Sequence, residues 1–480
     1  MPLGTSPRGL FHGPAPFDRG TTLTAFTADV SSTLAGPGWL SARRSDAWER
    51  YAAGSLPHEA EEVWRYSGID RFDLDVFAPT QPSEPGRRSD LEIGRALAEP
   101  FGRRAALVVT YNGTVVGVER ASTLPVEQLS VSSVLSDSEA PSGLGRLAPA
   151  HDAFGELHDA FLADVVHIVV AKKVVVAEPV VVVHLVDRGT PTSSPSVFPR
   201  SLVHVGASAE AGVIELIADV GPVPNAGEGQ SQATVGALVI PVTELEVEDD
   251  AHLAYANLQV LDQSSTQLAV QASRVGRNAT LRSFTVSLGG AYARVRTDSD
   301  LVGQGGHTSL LAAYLGTDSQ IHDFRTLQDH HAPRTQSELL FKGAVADESR
   351  SVYSGLIHIR NGAHGARAFQ TNNNLVLSEG AHADSVPNLD IEENDVRCSH
   401  ASTVGPIDED QRYYLESRGI SPAVAERLIV LGFFSDLASR APVAGVGPWV
   451  DAAVSQRLSG RLPSETTGST GSTEEGAGHD

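Results

Sequence analysis

The amino-acid sequence predicts a mainly β protein with a small helical region at each end. Between residues 105 and 405, β-branched runs, period-two alternation and frequent turn residues dominate, while sustained helical spacing is scarce. Both flanks instead carry apolar residues at helical spacing. Apolar residues make up 41% of the 480 residues, a composition that supports a large folded core. The sequence therefore places one β body, residues 105–405, between two helical flanks.

The N-terminal flank divides into an arm and a helical region. Residues 1–20 are rich in Pro and Gly, which predicts a flexible arm. Residues 21–104 are predicted to form an N-terminal helical region. Apolar side chains near its start follow helical spacing: Ala25, Phe26, Val30 and Leu34.

The β body is expected to contain many short strands. Phe284, Val286 and Leu288 alternate with polar residues, as one face of a strand does. Further short strands are predicted at residues 352–360, 375–378, 389–391 and 396–400. Many short strands separated by turns fit a sandwich, a propeller or a solenoid, and no clean sequence repeat decides between these folds.

The C-terminal flank, residues 406–462, is predicted to be a helical domain. Acidic residues at 408–410 suit the start of a helix, and Gly419 suits its end. Ser421 and Pro422 then provide the N-cap and the first residue of a second helix. Residues 463–480 contain mainly Ser, Thr, Gly and Glu, so we expect a disordered tail.

Charge and cysteine content exclude several classes of protein. The formal net charge of −23 argues against a nucleic-acid partner, because phosphate binding needs clustered cations. Cys398 is the only cysteine, so the chain has no internal disulfide and cannot hold a four-thiolate cluster alone. No apolar run approaches the length of a membrane span, and no secretion signal is visible. We expect a cytoplasmic protein that binds neither nucleic acid nor a membrane.

Common catalytic motifs are missing from the sequence. It contains no GxxxxGK[ST] phosphate loop, no GxSxG elbow, no HExxH motif and no GxGxxG dinucleotide motif between a strand and a helix. The 17 histidines, including the adjacent pair His330 and His331, show no zinc-finger or metalloprotease spacing. Simple hydrolase, nucleotidase and dehydrogenase functions therefore lose most of their support, and we predict that the chain is not an enzyme.

The hexapeptide DVRCSH, residues 395–400, is the most conspicuous candidate site. In a strand, Cys398 and His400 lie on one face, where a thiolate and an imidazole could share one metal ion. Two ligands do not complete a metal site, so a second chain or a substrate would have to supply the others. The alternative is that Cys398 is an inert small hydrophobic residue and His400 an ordinary strand residue.

Several motifs together resemble the SufB/SufD family of the SUF iron–sulfur cluster assembly system. They are SEGA (378–381), PNLDI (387–391), DVRCSH (395–400) and YYLESRGI (413–420), with weaker support from EVWRYS (62–67) and FLAD (161–164). The Trp-Arg-Tyr element, and Cys-Ser-His where SufB usually has Cys-Glu-His, favour the SufD branch. The family usually reads C-S-H-G-A-T, whereas Ala401 follows His400 here.

The resemblance implies a fold, a function and a site. The fold would be a right-handed parallel β-helix flanked by helices. The function would be that of a non-catalytic subunit of the assembly scaffold, which builds nascent iron–sulfur clusters for client proteins. In SufD-like proteins, the His of the C-x-H element faces the SufB chain. By that motif, His400 is the expected metal ligand, with Cys398 as a less certain neighbour.

The resemblance also implies partners. A SufB-like paralogue would pair through the β-helix, and a SufC-like ATPase would dock on residues 406–462. A cysteine desulfurase system would act indirectly, and the chain alone could form a homodimer, which the sequence does not decide. The cluster would be transient at the subunit interface, and none would be bound permanently by this chain alone. The alternative functions are a SufB-type scaffold and a β-helix carbohydrate lyase or hydrolase.

Overall fold

The computed structural model describes residues 25–80, 88–121, 124–188, 194–220 and 236–459. The predicted arm, residues 1–20, and the predicted tail, residues 463–480, lie outside these ranges. The α-helices in this part of the chain are α1 (Ala28–Ser32), α2 (Gly38–Ala53), α3 (Arg88–Ala98), α4 (Ala153–Ala160), α5 (Glu409–Ser417), α6 (Pro422–Ala438) and α7 (Val446–Ser459).

Strands make up the body of the molecule, as the sequence predicts. In chain order they are β1 (Phe77–Pro79), β2 (Ala106–Tyr111), β3 (Thr114–Arg120), β4 (Leu129–Ser133), β5 (Val166–Val170), β6 (Val180–Asp187), β7 (Ser194–Val197), β8 (Arg200–Val205), β9 (Glu210–Val220), β10 (Leu238–Val239), β11 (Val242–Val247), β12 (His252–Val260), β13 (Thr266–Val275), β14 (Thr280–Ser287), β15 (Tyr292–Leu301), β16 (His307–Gly316), β17 (Ile321–His330), β18 (Gln336–Val345), β19 (Arg350–Ile359), β20 (Arg367–Val376), β21 (His382–Ile391) and β22 (Arg397–Gly405).

The strands wind into a parallel β-solenoid of about seven turns between residues 180 and 405. From β11 onward, successive strands alternate between two parallel sheets. Sheet A runs in the order β4-β5-β8-β11-β13-β15-β17-β19-β21, and sheet B in the order β3-β2-β6-β9-β12-β14-β16-β18-β20-β22. This confirms the mainly β fold and selects the solenoid among the three architectures that the sequence left open.

The pitch of the solenoid varies along the chain, which explains why no repeat is visible in the sequence. In sheet A, Ile321 pairs with Tyr292 on one side and Arg350 on the other, so each turn there takes 29 residues. In sheet B, His307 pairs with Thr280 and Gln336, at spacings of 27 and 29 residues. Successive turns share a geometry but not a fixed length.

Sheet B has an apolar outer face and a partly polar inner face. Phe284 and Val286 of β14 point outward, where they join a core with Val430 and Phe434 of α6. The alternate residue Ser283 points inward and receives a hydrogen bond from the Gln271 amide of sheet A. The C-terminal helices therefore cover the apolar outer face, while polar side chains line much of the space between the sheets.

The EVWRYS element fastens the N-terminal region to the outer face of sheet A. Trp64 is buried beneath the Arg294 guanidinium, 3.8 Å from the ring centroid. Arg294 donates to the Val63 carbonyl oxygen at 2.9 Å, and Arg325 donates to the Arg65 carbonyl oxygen at 2.7 Å. Both guanidiniums also bind the buried Asp323 carboxylate. This element therefore has a structural role that its sequence pattern alone does not reveal.

Candidate functional site

Cys398 and His400 lie on β22, the last strand of sheet B. Within the part of the chain that the structure describes, β22 pairs with β20 alone, and Cys398 lies opposite Ala368 and His400 opposite Gln370. Ala368 and Gln370 are buried in the space between the two sheets. Because register partners in a sheet project to the same face, Cys398 and His400 share the inward face of the last turn.

The two side chains differ in their surroundings. Cys398 is half-buried and packs with Val396 against an apolar cluster that includes Ile357, Ile359 and Ala366. Burial raises the pKa of the Cys398 thiol, which favours the protonated form. His400 is exposed. The imidazole is thus directly accessible, whereas Cys398 would have to lose a proton before it could bind a metal ion.

A polar network lies beneath the last turn. The Tyr314 hydroxyl donates to Asn374 Oδ1 at 2.7 Å and accepts from Asn372 Nδ2 at 3.0 Å, and Asn374 Nδ2 donates to Asn372 Oδ1 at 2.7 Å. All three residues are buried. The network was not predicted from the sequence, because the run of polar residues around 371–374 resembles a loop. A correctly extended β20 would have placed Asn372 and Asn374 on one face.

The last turn leaves two long strand edges open. Within the described ranges, β21 and β22 each have a strand neighbour on one side only. Apolar side chains at this end are about two-fifths exposed, namely Val386, Leu389, Ile391 and Val404. Unpaired backbone groups and exposed apolar side chains together favour association with another chain. His400 and Cys398 therefore stand at the solenoid end that is best suited to a partner.

The C-terminal helices have a covered face and an exposed one. Phe434 of α6 and Val450 of α7 are buried against sheet B, and Lys342 of β18 donates to Asp436 Oδ2 of α6 at 2.7 Å. On the other side, Tyr413 and Tyr414 of α5 are 74% and 57% exposed. The helices are thus fixed to the solenoid and still present a large aromatic surface.

None of the helices in the described ranges is long and apolar enough to cross a membrane.

The fold and the open last turn define a β-solenoid protein with a helical C-terminal region. Residues 188–433 match the family model described as "SUF system FeS cluster assembly, SufBD core domain". The chain belongs to this SufBD family, which confirms the resemblance noted in the sequence.

Individual relatives agree with the family model. A SufBD family iron–sulfur cluster assembly protein of Mycobacterium tuberculosis is 38% identical over 223 residues, which are 45% of this chain and 56% of that protein. The iron–sulfur cluster assembly protein SufD of Escherichia coli is 29% identical over 309 residues, 64% of this chain and 70% of that protein. SufD of Bacillus subtilis is 30% identical over 206 residues, 43% and 47% of the two chains. The chain thus spans about half the length of several curated relatives that it matches.

Proposed function

We propose that this chain is the SufD-type, non-catalytic subunit of an iron–sulfur cluster assembly scaffold. It pairs with a SufB-like paralogue through the open edges of β21 and β22. The pair holds a nascent cluster, as cargo, at the interface that β22 helps to form. The observation that carries this proposal is the placement of His400 and Cys398 on the inward face of the unpaired last turn.

His400 supplies a metal ligand to the cargo in this proposal. A neutral imidazole is a competent iron ligand, and the exposed ring can reach a group held by a facing chain. Cys398 is the only cysteine, so the remaining ligands come from the partner or from the cargo itself. The same shortage of thiols disfavours the SufB-type alternative.

The C-terminal helices carry a SufC-like ATPase in the same proposal. The exposed Tyr413 and Tyr414 supply aromatic area of the kind enriched at protein interfaces. The sequence contains no phosphate-binding loop of its own. ATP hydrolysis therefore belongs to the partner.

The test is co-expression of His400→Ala with the SufB-like and SufC-like partners, followed by measurement of complex yield and of bound iron and sulfide. We expect a normal yield of complex with a strongly reduced cluster content. His252→Ala, a similarly exposed histidine on an early turn, is the matched control and should retain the cluster. Unchanged cluster content in His400→Ala would refute the ligand role.

A further inference from the structure

A second group of ionisable side chains lies on the outer face of sheet A. Cys398 and His400, in contrast, belong to sheet B and face inward. Asp300 of β15, Asp329 of β17 and His358 of β19 are register partners on three consecutive strands. His331 follows β17 directly and faces the two aspartates. Oxygen atoms of Asp300 and Asp329 and a ring nitrogen of His331 all lie within 4.8 Å of one another.

The distances are close to those between ligands of one metal ion. His331 Nε2 lies 3.2 Å from Asp329 Oδ2 and 3.9 Å from Asp300 Oδ1. With metal–ligand bonds of about 2.1 Å, neighbouring ligand atoms lie roughly 3.0 to 3.4 Å apart. The site would need to contract only slightly, through Asp300, whose side chain is 44% exposed.

The His331 ring is not engaged as a hydrogen-bond donor in this arrangement. Its Nε2 atom is fully buried and has no hydrogen-bond partner among the described residues, although two carboxylates lie beside it. The nitrogen lies within 4 Å of an oxygen of each carboxylate without a hydrogen bond to either, as ligand atoms around a common ion would. A buried polar atom without a partner is otherwise costly.

Negative charge at this position exceeds the positive charge that faces it. Arg360 donates to both oxygens of Asp329, at 2.9 and 2.7 Å, whereas no guanidinium forms an ion pair with Asp300 within the described ranges. Like charges on neighbouring strands destabilise a sheet, and a cation between them would remove that cost.

We propose that Asp300, Asp329 and His331 bind one divalent transition-metal ion. His358, with Nδ1 3.3 Å from Asp329 Oδ1, supports Asp329 from the adjacent strand. A set of two carboxylates and one imidazole selects ions such as Co²⁺, Zn²⁺ or Fe²⁺ over Mg²⁺, which prefers oxygen ligands alone. The site is independent of the proposed cluster site, because it uses the outer face of the other sheet.

The test is titration of Co²⁺ into the full chain carrying Cys398→Ala and His400→Ala, so that the proposed cluster site cannot contribute. We expect one Co²⁺ per chain, with visible absorption typical of bound cobalt. Zn²⁺ should displace the Co²⁺, whereas Mg²⁺ at the same concentration should not. His331→Gln and Asp300→Asn in this background should each weaken binding by about 10- to 100-fold. His252→Gln is the control for an exposed histidine and should bind as before.

Arg360→Gln provides a change in the opposite direction. Its guanidinium competes with a cation for Asp329, so its removal should tighten Co²⁺ binding while the aspartates and His331 remain in place. The proposal is overturned if His331→Gln binds Co²⁺ as tightly as its parent, or if Mg²⁺ displaces Co²⁺ at equal concentration. Either result would leave an acidic surface without a defined site.

Discussion

The two ends of the solenoid are finished in different ways. At the N-terminal end, β3 pairs antiparallel with β2 at the edge of sheet B, and β4 pairs antiparallel with β5 at the edge of sheet A. These short antiparallel strands stop the parallel winding. At the C-terminal end, β21 and β22 are ten and nine residues long and stay open in the described chain. One end is thus closed by the chain itself, and the other presents the edges that a partner would complete.

The two ends also differ in the burial of their charged side chains. Near the closed end, Arg200 donates to Asp159 Oδ1 at 2.8 Å and to Glu244 Oε1 at 2.6 Å, and all three side chains are buried. Near the open end, Asp390 and Glu392 are more than half exposed. The closed end is therefore predicted to govern folding stability, and the open end to govern association.

The largest effect is expected from Arg200→Ala at the closed end. The change leaves the Glu244 carboxylate buried without its cationic partner and leaves Asp159 with Arg43 alone. We expect a loss of about 3–5 kcal/mol in the free energy of unfolding, measured by urea denaturation. Arg103→Ala, which removes an exposed ion pair with Glu178, is the control and should change little. A loss below about 1 kcal/mol for Arg200→Ala would contradict the stabilising role of the network.

A smaller effect is expected when pH is lowered. Burial, together with the charge of Arg200, lowers the pKa of His158 to about 3, whereas the unfolded chain regains a value near 6.5. As pH falls through 6.5, the unfolded state binds a proton that the folded state does not, so the free energy of unfolding decreases until pH approaches 3. Between about pH 7.5 and 5, this one residue should cost roughly 2 kcal/mol.

His158→Gln tests that assignment. The amide can still donate to the Ile240 carbonyl oxygen, which His158 Nδ1 contacts at 2.8 Å, but it does not titrate. The stability lost between the two pH values should be smaller in the variant by about the same 2 kcal/mol. Comparing the two proteins removes the contribution of other groups, such as Asp219, whose pKa burial raises to about 6. Equal losses in both proteins would show that His158 does not cause the pH dependence.

The sequence predicted some of these features because they depend on short-range patterns. Period-two alternation was enough to place Cys398 and His400 on one face, and the N-cap pattern at Ser421 and Pro422 predicted the start of α6. Strand lengths were underestimated: the predicted segment 375–378 overlaps β20 only at residues 375 and 376, and 389–391 is only the end of β21. Polar inward-facing residues interrupt the apolar alternation in the earlier part of each strand, so the sequence predicts only short strands there.

The cation site could not be predicted, because it depends on the pitch of the solenoid. Asp300, Asp329 and His358 are each separated by 29 residues, and only the register of β15, β17 and β19 shows that this spacing equals one turn. The adjacent residues His330 and His331 likewise face opposite ways: His330, the last residue of β17, is buried inside, and His331, directly after it, faces outward. Distance along the chain therefore hides ligands that the fold brings together.

A change at the open end should separate association from stability. Leu389→Glu places a charge on β21 at a position that is 37% exposed in the free chain. The free energy of unfolding should change by no more than about 1 kcal/mol. Pairing with the SufB-like partner should be lost, because the interface would bury an unpaired carboxylate. Sedimentation analysis of the co-expressed complex measures this loss.

Val126→Glu is the matched control for Leu389→Glu. Val126 is 61% exposed and lies near β4 at the closed end, so the same charge should leave the complex intact. If both variants form the complex normally, the open edge of β21 is not the pairing surface. If neither variant forms the complex, the added charge has a general effect that does not depend on its position. The proposed difference between the two ends would then be wrong.

The smallest effect on stability is expected from the double change Tyr413→Ser and Tyr414→Ser. Both rings project from α5 into solvent, so their removal should alter the free energy of unfolding by only about 0.5 kcal/mol. Co-purification of the SufC-like ATPase should nevertheless be lost, because the aromatic area available for docking disappears. Substitution is preferable to deleting all residues after Gly405, since that deletion would also remove Phe434 and Val450, which cover sheet B.

Val175→Ser is the control for the tyrosine pair. Val175 is 62% exposed and precedes β6 at the start of the solenoid, away from the C-terminal helices in sequence, and its replacement should leave ATPase capture unchanged. Normal ATPase capture by the tyrosine variant would show that Tyr413 and Tyr414 are not part of the docking surface. Because pairing through β21 and ATPase docking through α5 use different surfaces, the tyrosine variant should still pair with the SufB-like chain. Loss of both partners in that variant would mean that the open end and the C-terminal helices act as one surface.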